Sequence, residues 1–506
     1  MFPMSMRTET EKLWVFALAS NINIFMQEYL VSLLVAIAIT WFILTIIFWS
    51  TRNLIPGPRG FPLVGSMSLR SSRVAHQRIA AVAAMRNAKR LMAFSLGDTK
   101  VVVTCHPDVA KEILNSSVFA DRPVDETAYG LMFNRAMGFA PNGAYWRTLR
   151  RLGSNHLFNP KQIKSSEEQR QVIATQMVNV FARNAETAFG VRDLLKTASL
   201  SNMMGLVFGK HYELESSNNV EGYDLLGTLN WTDHLPWLAG LDFQQVRFRC
   251  SQLVPKVNQL LTRIINEHRA PTCNFLDVLH SLRGSENLSE SDMVAVLWEM
   301  IFRGTDTVAV LIEWVLARVV MHPKVQSTIH DELDRVVGRS KAVDESDLPS
   351  LTYLTAMIKE VLRLHPPGPL LSWARLSITD TTVDGYHVPA GTTAMVNMWA
   401  IARDPNVWKN PLEFNPERFV PKDGEAEFSV LGSDLRLAPF GSGKRVCPGK
   451  NLGLATVSYW VATLLHEFEW LPSVNANPPD LSEVLRLSCE MASPLVVNLR
   501  RRRKIA

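Results

Sequence analysis

The chain has 506 residues, 47% of them hydrophobic and 20% charged, and a formal net charge of +5. That balance fits a folded globular chain with a modest membrane element, and so mild a charge without a concentrated basic stripe argues against nucleic acid as the main partner. The five cysteines, Cys105, Cys250, Cys273, Cys447 and Cys489, are scattered and lack C-x-x-C spacing. They argue against a disulfide framework and against structural zinc, and place the folded part in a reducing compartment.

In chain order, residues 1–29 precede an almost wholly apolar run from Leu30 to Trp49. As a helix the run is about 30 Å long, enough to span a bilayer. Arg7 and Lys12 lie before it, and Arg52, Arg59, Arg70 and Arg73 after it. The positive excess after the span predicts a single-pass anchor with the main domain cytosolic. Residues 50–62 include Pro56, Pro58 and Pro62, which fix φ and predict a stiff hinge close to the bilayer. Residues 63–506 carry no internal repeat or second linker, so they read as one domain. Within it, Leu91 to Ser95 and Lys100 to Thr104 flank Gly97-Asp98 as a hairpin. Ser291 to Met321 is a long helical pattern with capping signals at Ser289 and Asp292 and a stop at His322-Pro323. A second sheet region spans Thr382 to Met398, with turns at Asp384-Gly385 and Ala390-Gly391. The rest reads mainly as helix. The terminal run Arg500 to Lys504 reads as a solvated tail.

The most informative stretch is Phe440-Gly-Ser-Gly-Lys-Arg-Val-Cys447-Pro-Gly449. Gly441, Gly443 and Gly449 let the backbone approach a flat group where a Cβ would collide. Arg445 can form a charge-assisted hydrogen bond to an anionic substituent of that group. Phe440 can seal the cysteine side from water, and Pro448 sets the turn into a helix from Lys450 to His466. A buried free cysteine in a loop explains neither the arginine nor the glycine spacing.

The run fits F-x-x-G-x-R-x-C-x-G in full, and here the chain resembles the cytochrome P-450 superfamily from Pro56 to its C-terminus. The resemblance implies a mainly α fold with small β-sheets behind one N-terminal transmembrane helix, and haem b bound through an axial thiolate from Cys447. Such a thiolate pushes electron density onto iron and favours O–O cleavage; the handling of dioxygen by this family is itself the standard example of that effect. The resemblance further implies that Gly304 leaves room for dioxygen, that Thr307 hydrogen-bonds it, and that Asp306 passes protons inward. The rival reading of Thr307 is a back-bond to the carbonyl four residues earlier. Trp146, Arg150 and Arg375 are implied to contact the haem propionates with Arg445. Glu360, Arg363 and Arg418 are implied to form a structural Glu–Arg–Arg cluster. Arg303 departs from the family; it reads as an i,i+4 ion pair with Glu299 or as a partner for an anionic substrate group. Arg147, Arg151, Lys444 and Lys450 suggest a basic face for an acidic reductase, or a solvated face.

The helix centre F-R-G-T-D-T and the segment L-L-S-W-A-R resemble the plant A-type subfamily numbered seventy-eight. That subfamily implies a role in organ or seed growth and a fatty-acid-like substrate. Apolar segments 124–139, 230–243, 295–307, 369–373 and 487–492 are expected to line a lipophilic site. No G-x-G-x-x-G opens a βαβ unit, so NADPH electrons are expected from a separate NADPH–cytochrome P-450 reductase. The expected activity is monooxygenation with dioxygen on the cytosolic face of the endoplasmic reticulum membrane. A hydroperoxide isomerase or lyase on the same fold, and a non-catalytic haem sensor, are the alternatives. An intact Asp306-Thr307 counts against the first.

Overall fold

In the computed structural model the described residues are 29–41, 43, 55–123, 125–185, 187–209, 229–267, 275–281, 289–371, 374–422, 424, 427–473 and 478–502. Among them no helix is long and apolar enough to cross a membrane. Residues 29–41 are helical with exposed side chains. Residues 1–28, 44–54 and 503–506 lie outside the described residues, and with them much of the expected span, the first part of the hinge and the end of the basic tail. From Ile55 on, the hinge lies against the domain: Ile55 is buried, and the Pro56 carbonyl accepts the Ala93 N–H at 2.9 Å.

Helices dominate: α1 (Ala144–His156), α2 (Glu167–Arg183), α3 (Arg192–Phe208), α4 (Val246–Glu267), α5 (Glu290–Met321), α6 (Pro323–Val336), α7 (Thr352–Leu364) and α8 (Lys450–Glu467) are the longest. The 32 residues of α5 span about 48 Å. It starts where the sequence signals it. Ser289 Oγ accepts the Asp292 N–H at 3.1 Å, while Asp292 accepts the Ser289 N–H at 3.0 Å, a reciprocal capping box. It stops at His322 because Pro323 cannot continue it and instead opens α6. Most of α5 is buried, since its flanks are covered by α3, α7 and α8. Trp314, Trp460 and Phe181, each at most 1% exposed, mark the main core. A second core joins the end of α3 to α4 and the first half of α5.

The expected hairpin is β1 (Met92–Leu96) and β2 (Thr99–Thr104), paired antiparallel. The remaining strands are β3 (Phe189–Gly190), β4 (Arg375–Leu376), β5 (Thr381–Val383), β6 (Tyr386–Val388), β7 (Thr393–Val396), β8 (Phe468–Pro472), β9 (Glu483–Leu485), β10 (Cys489–Met491) and β11 (Val496–Arg501). The region expected as one sheet is divided. β5 and β6 pair only with each other, whereas β7 joins β2 in parallel and β4 antiparallel, giving the order β1-β2-β7-β4. β2 is thereby central, and its VVVT stretch is buried. The C-terminal segment fell within the remainder read mainly as helix, with Arg500 onward read as a solvated tail, but Arg500 and Arg501 end a strand. β11 instead runs between β3 and β8, and β9–β10 form a hairpin. Each has six or fewer residues, too short for its period to separate strand from helix.

Candidate active site

A cavity enclosing about 1860 Å³ of space between atoms, mouth included, lies between α5 on one side and the cysteine loop with α8 on the other.

The loop is shaped by backbone closures. The Cys447 N–H donates to the Phe440 carbonyl at 3.0 Å, and Val446 N–H to Gly443 at 3.0 Å. Gly443 has φ +67°, and a Cβ there would overlap the Leu114 carbonyl. Only glycine meets both conditions. Pro448 and Gly449 lead into α8, so Cys447 sits at the positive end of that helix dipole. Its open side faces the cavity, and the remainder is enclosed by protein. Burial pushes the thiol up, while Arg303, the Gly449 N–H, Arg150 and Lys450 pull the other way. Among the described residues Cys447 is the cysteine that lines the cavity; Cys105, Cys250 and Cys489 are buried elsewhere.

Arg122, Arg150, Arg303, Arg375 and Arg445 line the cavity, against two carboxylates, Glu299 and Asp306. Burial lowers Arg375 to about 9, with Arg445 and Arg150 adding repulsion. Burial also lowers Arg445 to about 10, with Asp121 opposing. Arg122 is pushed well down by burial and then by Arg375, Arg445 and Arg303. So many guanidinium groups pressed together are a deficit of negative charge. Arg445 is held in place by the carbonyls of Ala120 (2.8 Å) and Ala140 (2.7 Å), and its guanidinium lies 4.0 Å over the Trp146 ring. The indole N–H of Trp146 donates to the Met137 carbonyl at 3.0 Å, so this residue supports Arg445 from below. Arg375 donates to the Ser442 carbonyl at 3.1 Å, tying β4 to the cysteine loop.

From α5, Gly304, Asp306 and Thr307 all line the cavity. Thr307 exposes its side chain there; the back-bond considered for it is made by Thr305, whose hydroxyl donates to the Ile301 carbonyl at 2.7 Å. A Cβ on Gly304 would collide with the Met203 side chain, so this glycine admits α3 as well as bordering the cavity. Asp306 is buried and its carboxyl is raised by that burial. Lys196 Nζ at 3.7 Å and a hydrogen bond with Ser488 oppose the rise, and Glu490 adds to it. Arg303 pairs with Glu299 at 3.2 Å while bordering the cavity, and Glu299 also accepts the Gly138 N–H at 2.7 Å.

The Glu–Arg–Arg residues come together outside the cavity. Arg363 donates to both Glu360 oxygens at 2.7 and 2.8 Å, and Arg418 to one at 3.2 Å. Sequence reasoning passed over Arg122, Lys196 and Glu490. The Arg122-Pro123 pair after Phe119 was a weak signal for the first; Lys196 and Glu490 meet Asp306 only through folding.

The Cytochrome P450 family model matches residues 55–491. The chain is 63% identical over 532 residues to Cytochrome P450 78A6 of Arabidopsis thaliana, covering 98% of this chain and all of the relative. It is 62% identical to Cytochrome P450 78A9 of the same plant (99% and 100% covered) and 61% to Cytochrome P450 78A3 of Glycine max (97% and 99%). A mainly helical fold over a cysteine loop thus defines a haem-thiolate oxidoreductase, and the chain belongs to the cytochrome P450 family. It is a monooxygenase, and its cofactor is haem with a cysteine thiolate ligand. The residues present fit that group. The arginine-rich rim matches two propionates, and a buried thiol that keeps its proton by itself loses it to a bound metal ion.

Proposed function

We propose that this chain is a membrane-anchored monooxygenase that hydroxylates a lipophilic, fatty-acid-like substrate, with NADPH electrons delivered by a separate reductase. One observation carries the reading: Cys447 opens on the same cavity as the Asp306–Thr307 pair, inside a rim of arginines. Haem, when bound, supplies the oxygen-activating chemistry that a thiolate ligand favours.

The chain's own residues do the rest. Cys447 would supply the thiolate that holds the haem iron, with Phe440 beside it excluding water. Arg122, Arg150, Arg375 and Arg445 would hold the propionates, and Trp146 lies against the guanidinium of Arg445. Thr307 presents its hydroxyl to the reacting pocket. Asp306, reached from the outside through Lys196 and Glu490, passes protons toward it. Leu370, Leu371, Met300 and Leu487 give the pocket apolar walls for an alkyl chain. The Glu360 cluster keeps the segment before the cysteine loop in place. Residues 1–29 are assigned to the lumen, 30–49 to the anchor, 50–62 to the hinge and 63–506 to the cytosolic domain at the endoplasmic reticulum. The apolar run and the positive excess after it support this placement. Action in organ or seed growth rests on the resemblance to the plant subfamily.

The test is product analysis by mass spectrometry in reductase-coupled microsomes supplied with fatty acids. An oxygenated product that requires NADPH supports the reading. Product formed from a hydroperoxide alone points to the isomerase or lyase activity, and haem without any turnover to a sensor.

A further inference from the structure

Away from the cavity, three side chains with different donor atoms meet in the interior. They are His76, from the helix Ala75–Met85, Glu483 from β9 and Cys489 from β10. His76 is wholly buried, Cys489 is 1% exposed, and the Glu483 side chain is 6% exposed. His76 Nε2 lies 2.9 Å from Glu483 Oε1, and Cys489 Sγ lies 3.6 Å from Glu483 Oε2 and 4.0 Å from His76 Nε2. Spacing in the sequence hides the group, since His76 and Glu483 are 407 residues apart.

Zinc takes sulfur at about 2.3 Å and nitrogen or oxygen at about 2.0–2.2 Å, so tetrahedral donors stand roughly 3.3–3.6 Å apart. His76 Nε2 and Cys489 Sγ, 4.0 Å apart, stand somewhat wider than that, and each already faces one oxygen of Glu483, Oε1 for the imidazole and Oε2 for the thiol. One donor atom from each of the three residues lies within 4.8 Å of the other two. His76 Nδ1 is buried without a hydrogen-bond partner, so the imidazole is not built into a fully satisfied network. With a metal on Nε2 the ring proton sits on Nδ1. The neighbouring Trp399 ring, 5.4 Å away and at 71° to the imidazole, is the aromatic surface beside it. Two anionic ligands would neutralise a divalent ion. The opposing groups are few: Gln77 donates to Glu483 Oε1, and Arg403 acts on Glu483 and Cys489 from its place over Trp399.

We propose that His76, Glu483 and Cys489 form a binding site for one zinc-like divalent cation, distinct from the haem site. Binding breaks the Cys489 S–H bond and forms a sulfur–metal bond, and the proton leaves to solvent. Three protein ligands leave the fourth tetrahedral position to a water molecule. The site also has a mechanical consequence. Leu487 and Ser488, in the turn of the β9–β10 hairpin, line the active-site cavity, and Ser488 hydrogen-bonds Asp306. A cation here pins that hairpin to the helix carrying His76.

The test uses the full-length, haem-loaded protein equilibrated with micromolar zinc and then desalted. The expected result is one zinc per chain, with retention weakened about tenfold or more in Cys489→Ser and His76→Ala. Zinc X-ray absorption should show one sulfur neighbour at about 2.3 Å in the parent and none in Cys489→Ser. The reduced carbon-monoxide spectrum checks that each variant still folds around haem. Should either variant fail that check, Glu483→Gln, nearly the same shape, takes its place and should also lose zinc. No retained zinc, equal retention in parent and folded variants, or a zinc shell without sulfur overturns the proposal.

Discussion

Replacing Glu360 by alanine tests whether the buried charge cluster holds the haem end of the domain together. Glu360 and Arg363 are both fully buried. The carboxylate accepts two hydrogen bonds from Arg363, one from Arg418 and one from the Asn415 N–H at 2.9 Å. Arg363 in turn donates to the carbonyls of Ala402 (2.7 Å), Pro411 (2.6 Å) and Glu413 (3.1 Å), so it cannot swing out to water without abandoning them. Glu360→Ala therefore strands a buried guanidinium charge, at a cost of about 3–5 kcal/mol. With an unfolding entropy near 2.1 cal/mol/K per residue, about 4 kcal/mol lowers the melting midpoint of a chain this size by on the order of 4 °C. Glu360→Gln keeps one acceptor oxygen and should fall between parent and alanine variant. The assay is a thermal melt at fixed scan rate, followed by circular dichroism and by Soret absorbance. Haem should leave at the lowered temperature together with the loss of helix. If Glu360→Ala melts within about 1 °C of the parent and keeps its haem, the charge-locking argument is wrong.

Cys447→Ala should keep helical circular dichroism while losing the red-shifted Soret band of the reduced carbon-monoxide adduct; a retained band would remove the ligand assignment. Gly443→Ala forces an alanine to φ +67° against the Leu114 carbonyl, which costs at least the 1–2 kcal/mol of the left-handed region. Haem occupancy on purification should drop, and unchanged occupancy would show that the loop can relax. Thr307→Ala should bind substrate as before but lose about tenfold or more of product per NADPH, measured against peroxide released; unimpaired coupling would leave its hydroxyl without a role. His234, held at 2.8 Å by Thr99 Oγ1, is lowered to about 4, chiefly by burial, with Arg70 adding. Its stabilising contribution is present above the unfolded value near 6.5 and is lost as pH falls from there toward 4, because the unfolded chain takes up the proton first. Residues 230–245 should then become more open to proteolysis at pH 5 than at pH 7.5. A His234→Asn chain that shows the same pH response would exclude this histidine as the cause.

The cysteine loop, the long helix with its Asp306-Thr307 pair and the E-x-x-R helix were legible because each is local. A capping box, a proline stop and a glycine-rich turn act within a few residues, so their chemistry is written in consecutive letters. The β1–β2 hairpin was legible for the same reason, through Gly97-Asp98. Fold and tertiary contacts decided the rest. Glu299, whose pairing with Arg303 four residues on was one of two readings, also accepts the Gly138 N–H, and the Trp146 indole donates to Met137 with Arg445 over its face.

Residues brought together from distant segments left no periodic trace: Arg122 beside Arg375, Lys196 beside Asp306 and Glu490, His76 beside Cys489. The short C-terminal strands were hidden too, since three to six residues fit a strand or a helix turn equally well until a neighbour offers hydrogen bonds. The amino-acid order alone thus determined the thiol that faces the cavity and the elements that carry it. Folding alone added Arg122 to the rim of charge around the cavity and chose the partners of its buried acid, because electrostatic fields depend on distance in space and not on separation along the chain.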